Sequence, residues 1–95
     1  TGDQYQEAFD KRLENGFYPD RLEGRCENGY QRFHAEWKRI PPSTDFISHH
    51  GITKEIYDGK RQEYESQGFS LESLQVLKDC AGLDKYQATW FKKNN

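Results

Sequence analysis

The sequence predicts an α+β domain that writes one α-β-β unit twice, giving a four-stranded, mainly antiparallel sheet with both helices on one face. Three observations carry this. The phrase RFHAEW, Arg32 to Trp37, returns as KYQATW, Lys85 to Trp90. A shift of 52 positions lays Thr1 on Thr53, Tyr5 on Tyr57, Gly16 on Gly68, Phe17 on Phe69 and Leu22 on Leu74. A shift of 53 then lays Phe33 on Tyr86, Ala35 on Ala88 and Trp37 on Trp90, the added residue falling in a turn. The first unit is therefore placed at 1–39, a connector at 40–51 and the second unit at 52–95.

Each element has a local reason. Tyr5, Ala8, Phe9 and Leu13 recur at helical spacing, and Gly16-Phe17 ends that helix. Leu22, Gly24 and Cys26 alternate with Glu23, Arg25 and Glu27, as a half-buried strand requires. Asn28-Gly29 is a hairpin signal, and Phe33, Ala35 and Trp37 alternate with Arg32, His34 and Glu36 on the return strand. Pro41-Pro42 excludes a helix from the connector, which is expected to cross irregularly with one short extended piece at Asp45 to Ser48. Thr53 is a plausible N-cap, with Ile52 placed to staple onto Tyr57. Gly68 suits the left-handed position after the second helix, with Phe69 folding back on Tyr64. Leu74 and Val76, a turn around Ala81-Gly82, and Tyr86, Ala88 and Trp90 complete the second hairpin.

The expected repeat core is thus Tyr5, Phe9, Gly16, Phe17, Leu22, Phe33, Ala35 and Trp37, matched by Tyr57, Gly68, Phe69, Leu74, Tyr86, Ala88 and Trp90. Trp37 and Trp90 are expected to be buried on one side of the sheet. The opposite face reads Glu23, Arg25, Arg32, His34, Glu36, Gln75, Lys85, Gln87 and Thr89, a mixed polar surface.

Composition narrows the functional classes. Only 33% of the 95 residues are hydrophobic, but 15% are aromatic and the net charge is −2, so large rings replace a missing aliphatic core. The balanced charge gives no general pull toward nucleic acid or anionic membranes, and no apolar run is long enough to span a bilayer. Cys26 and Cys80 do not make a disulfide framework; two reduced, half-buried thiols are expected, with a single bridge as the alternative.

Catalytic signals are sparse. His49-His50 invites a metal, but adjacent side chains in an extended segment point to opposite sides, and no C-x-x-C or H-x-x-x-H spacing completes a site. No G-x-S-x-G elbow, phosphate-cradling loop or EF-hand spacing occurs. Neither a metal nor a cofactor is therefore expected. Trp37-Lys38-Arg39 and Trp90-Phe91-Lys92-Lys93 give the best nucleic-acid argument, yet alternation puts both tryptophans on the helix-covered face. His34, Lys38, Arg39, His49, Lys92 and Lys93 remain as candidate surface interaction residues; nucleic-acid binding, the third class, predicts a contiguous basic stripe around Lys38, Arg39, Lys92 and Lys93.

G-I-T-x-E-x-Y at Gly51 to Tyr57, Q-G-F at Gln67 to Phe69 and Y-x-A-x-W at Tyr86 to Trp90 resemble a bacterial tandem-repeat family with units of about fifty residues. The first copy keeps N-G-F-Y-P at Asn15 to Pro19 and F-H-A-E-W at Phe33 to Trp37. Such repeats lie beside serine-hydrolase domains of the β-lactamase type, including polyglycine hydrolases, and in bacterial proteins related to serine/threonine kinases. The resemblance implies a non-catalytic accessory module, to which no catalytic residue carries over. Its implied partners are neighbouring repeats, an attached catalytic domain or an extracytoplasmic polymer; the resemblance favours an extracytoplasmic parent and leaves the compartment open. The competing class is a segment that contributes to the activity of a kinase-related or hydrolase parent. Arg61 stands where the first copy has Phe9, and Leu71 replaces Pro19, so the two helices are expected to pack unequally. The first unit lacks a counterpart of Pro41 to Gly51, so the chain is expected to enter a repeat part-way.

Overall fold

The computed structural model describes the backbone of residues 2–93 and the side chains of residues 7–93; the side chain of Tyr5 lies outside these. The elements are α1 (Gly2–Glu14), β1 (Phe17–Glu27), β2 (Tyr30–Arg39), β3 (Thr44–Ile52), α2 (Lys54–Ser66), β4 (Ser70–Lys78) and β5 (Asp84–Lys93). They form two antiparallel sheets, β1-β2 and β3-β5-β4, so five strands in two sheets replace the expected four in one.

The duplication survives in detail. β1 and β4 carry bulges at matching places, between Pro19 and Arg21 and between Leu71 and Ser73. Leu22 stands opposite Ala35 in one hairpin, and Leu74 opposite Ala88 in the other. Asn28 and Gly29 take φ of 54° and 81°, the two-residue turn whose twist suits the flanking strands. In the second hairpin, Asp79 Oδ1 instead accepts from the amides of Ala81 and Leu83, both at 2.9 Å.

The second helix starts and stops as its sequence dictates. Thr53 Oγ1 accepts from the Ile56 amide at 3.3 Å. At the far end, the Phe69 amide donates to Tyr64 O at 3.0 Å and the Gly68 amide to Glu65 O at 3.1 Å, with Gly68 at φ 92°. This is a Schellman closure, and the Phe69 ring lies 6.1 Å from that of Tyr64.

The connector departs from expectation. Rather than a short piece at Asp45 to Ser48, Thr44–Ile52 forms a full strand against β5, with Ile47 opposite Trp90 and His49 opposite Ala88. Pro41-Pro42 only delays the strand: Ser43 turns the chain at φ 55°, and Thr44, Phe46, Ile47 and Ile52 are then good strand formers.

Tyr57 and Tyr64 of α2 pack on Ala88 and Trp90 of β5, with Ile47, Ile52, Phe69, Leu71 and Tyr86 around them. Gln87 and Thr89 point to the other face of the same strand, yet both are 0% exposed. The first unit covers them. Ser73 Oγ donates to Pro19 O at 3.0 Å and to Asp20 O at 3.3 Å, and Gln75 Nε2 donates to Asp20 O at 3.1 Å. The Tyr18 and Phe91 rings meet at 5.0 Å. β1 therefore lies across the back of the three-stranded sheet. Beneath it, Ser48 Oγ and Thr89 Oγ1 share a hydrogen bond of 2.8 Å, and Gln87 Nε2 donates to Thr89 Oγ1 at 3.0 Å. Gln75, Gln87 and Thr89, assigned to solvent by alternation, form a polar seam between the units.

α1 meets the same back face. Phe9 is buried between Trp37, at 5.8 Å, and His50, at 4.3 Å, whereas the adjacent His49 faces Tyr64 of α2. The helices thus flank opposite faces of the three-stranded sheet instead of sharing one. Their packing is unequal, as the Arg61-for-Phe9 exchange suggests: Arg61 is exposed and ion-paired with Glu65 at 3.0 Å.

Three core assignments need correction. Trp37 is half-buried, while Trp90 is 0% exposed, and the two sit in different sheets. Leu74 is 39% exposed where its counterpart Leu22 is 2% exposed, because the back of the second unit covers Leu22. Cys26 and Cys80 are exposed and joined in a disulfide, with Cα atoms 4.9 Å apart. The packing of β1 along β4 brings the hairpin ends together, which cysteine count and spacing do not encode.

Candidate interaction surfaces

The basic strand ends do not form one stripe. Lys38 and Arg39 are neighbours in β2, so their side chains leave opposite faces. Lys38 pairs with Asp20 at 3.1 Å, and the hydrogen bond to that carboxylate raises its pKa. The Arg39 guanidinium lies over the Phe17 ring at 5.4 Å, and Lys92 Nζ lies over Phe69 at 5.8 Å. These are matching positions in the two units. Lys92 Nζ also donates to Gln67 O at 2.8 Å, satisfying a carbonyl at the negative end of α2. Lys93 is exposed opposite Thr44 at the end of β5. Arg39 and Lys92 thus cover the ring that follows each helix.

The histidines are separated by the layers of the fold. His34 is exposed on the outer face of β2, in an open groove of about 510 Å³ lined by Glu23, Arg25 and Arg32. Ion pairs at 2.9 Å (Arg21–Glu23) and 3.0 Å (Arg25–Glu27) run along that face. His49 Nε2 shares a 2.8 Å hydrogen bond with Tyr64 Oη, on the α2 side of β3. His50 faces Phe9 on the other side. Burial lowers the pKa of both His49 and His50 by disfavouring the imidazolium, and Lys60 adds to the effect at His49. Among the described residues, no group of three His, Cys, Asp or Glu side chains is placed to hold a metal ion. No helix there is long and apolar enough to cross a membrane.

Comparing the two backs exposes what the sequence pattern conceals. The first unit presents Arg21, Glu23, Arg25, Arg32, His34 and Glu36 to solvent. At the matching positions the second unit has Ser73, Gln75, Leu77, Lys85, Gln87 and Thr89. The charged back is solvated and the mostly neutral one is packed, in line with the cost of burying unpaired charge. Exchange of charged for neutral polar residues at matching positions is the signal that could have located the seam. Between the units remains a cavity of about 190 Å³ lined by Leu22, Phe33 and Leu77, with His50, Lys78 and Lys85 at its border.

Among known proteins, the pattern of the polyglycine hydrolase-like structural repeat matches residues 1–40 and 43–93, dividing at Pro41-Pro42. No curated protein and no solved structure matches the chain. With nearly every residue inside those two matched stretches, the chain belongs to the family of polyglycine hydrolase-like structural repeats.

Proposed function

We propose that the chain is a non-catalytic tandem-repeat module that binds or spaces within a larger protein. Its partners are neighbouring repeats or an attached catalytic domain, with an extracytoplasmic polymer as a further candidate. The observation that carries this is the use made of the repeated residues. Gly68 closes a helix, Phe17 and Phe69 lie under cations, and Trp90 fills the second-unit core. All are packing and turn positions. The candidate histidines lie on three separate surfaces and do not converge on a common point. The Cys26–Cys80 disulfide fits an oxidising compartment.

A second reading, a segment that contributes to the activity of a hydrolase parent, is favoured by the description of the matching family. An activity assay decides on the module itself. Residues 1–95 should not turn over oligoglycine peptides or chromogenic esters above the rate of buffer. Turnover that disappears in His34→Gln or His49→Gln, with the thermal midpoint retained, would refute the non-catalytic role.

A further inference from the structure

The two sheets approach closely at one point and part beside it. A Cβ added at Gly24 of β1 would stand 3.1 Å from Leu77 Cδ2 on β4, tighter than ordinary van der Waals contact. Next to this point lies the cavity of about 190 Å³, walled by Leu22 and Phe33 of the first hairpin, Leu77 of β4 and the His50-Gly51 end of β3. Leu22 and Leu77 are both buried. Gln31 and Lys78 also line it, and the 3.2 Å hydrogen bond from Gln31 Nε2 to Lys78 O joins the two hairpins there, beside the Cys26–Cys80 bridge. The charged groups at the border differ in how far they are engaged. Lys78 Nζ pairs with Asp84 at 2.9 Å, and Asp79 Oδ1 accepts from the Ala81 and Leu83 amides. Burial holds His50 toward the neutral imidazole. Lys85, the cross-strand neighbour of Leu77, is half-buried, and its ammonium has no side-chain partner among the described residues.

We propose that this cavity binds a small carboxylate with a compact apolar body, the body lying among Leu22, Phe33 and Leu77 and the carboxylate meeting the Lys85 ammonium. Size, lining and charge each narrow the occupant. An apolar cavity of about 150 Å³ is large enough for a benzene ring, so this one takes a single ring or a chain of about six carbons. A half-buried ammonium without a counter-ion is costly, and a carboxylate brought to it forms a charge-assisted hydrogen bond. A neutral ligand of the same shape leaves that ammonium unpaired. An anion with no apolar body leaves the cavity unfilled, and a cation is opposed by Lys85. Both units supply walls, so the site is a property of the packed pair. It goes beyond the reading of the chain as a repeat module and does not depend on it.

The test titrates phenylacetate, phenylacetamide and acetate into the 95-residue chain with its disulfide intact. The methyl resonances of Leu22 and Leu77 report on the cavity. Saturable shifts of both are expected at millimolar phenylacetate, with binding about fivefold weaker for phenylacetamide and no shift with acetate. Lys85→Gln should bind acid and amide alike, at the affinity of the amide. Lys78→Gln removes a cation already engaged by Asp84 and should keep the preference for the acid. Thermal midpoints show whether each variant is folded, and the comparison of acid with amide in the unsubstituted chain needs no variant. Equal binding of acid and amide, or a preference that survives Lys85→Gln, overturns the proposal. So does binding of acetate at the same methyls, or phenylacetate shifts centred on Arg25 and Arg32 of the outer groove. Absence of any shift at millimolar phenylacetate overturns it as well. None of these outcomes bears on turnover of oligoglycine or esters, so the non-catalytic role is tested apart.

Discussion

Trp90→Ala is expected to destabilise the chain by about 3–5 kcal/mol, against roughly 1–2 kcal/mol for Trp37→Ala. Trp90 is 0% exposed and its ring meets those of Tyr57, Tyr64 and His49, so truncation leaves a void that α2 cannot fill without moving. Trp37 is half-buried beside Phe9 and under the Arg12 guanidinium at 5.8 Å, where solvent and a mobile cation can occupy the lost volume. Trp90→Phe should cost much less than Trp90→Ala, partly because the buried Trp90 Nε1 has no hydrogen-bond partner among the described residues and its removal relieves a desolvated donor. Chemical denaturation of the three variants gives the order directly. Equal losses for Trp37→Ala and Trp90→Ala would mean that the two units are packed alike, against the layering described above.

The second large effect belongs to the disulfide. Cys26 and Cys80 are 54 residues apart in sequence, and a cross-link closing a loop of that length restricts the unfolded chain by about 4 kcal/mol. Both cysteines are exposed, so the Cys26→Ser, Cys80→Ser double variant removes the cross-link while leaving no cavity. For a chain of this size the thermal midpoint should fall by roughly 15–30 °C. The loss should concentrate at the junction of the units, because the bridge joins the first hairpin to the turn of the second. Native-state proteolysis of the reduced chain should therefore cut first near Asn28 or Ala81. A midpoint unchanged on reduction would show that the seam and the apolar contacts around Leu22 hold the units together unaided.

How much of this was legible depends on how far each residue's partner lies along the chain. Thr53, Gly68 and Asn28-Gly29 act within a few residues, and their caps and turn could be read from spacing alone. The duplication was legible for the same reason, since matching positions repeat matching local jobs. β3 was partly hidden because Pro41-Pro42 draws attention to an irregular connector, while the strand depends on β5 some forty residues later. Gln87 and Thr89 were misread outright. A strand buried on both faces can carry polar residues on one of them when they bond within their own sheet, as Thr89 does with Ser48 and Gln87, and no period in the sequence announces the layer that covers them. Lys38, Arg39 and Lys92 look available by composition but have partners on other elements, in Asp20, Phe17 and Phe69.

The exchange of charged for neutral residues between the two backs connects architecture to function. Ser73 and Gln75 present neutral donors to the β1 carbonyls, whereas Arg21 and Glu23 at the matching positions pair with each other at 2.9 Å. One copy of the unit is thereby fitted to be covered and the other to face water.

The most direct test of a duplicated unit with one covered and one open edge is amide hydrogen exchange in the free chain. Ala88 and Trp90 should exchange slowly, at rates set by opening of the three-stranded sheet, while Ala35 and Trp37 should exchange orders of magnitude faster in the same sample. Equal protection at both pairs of positions would contradict the account.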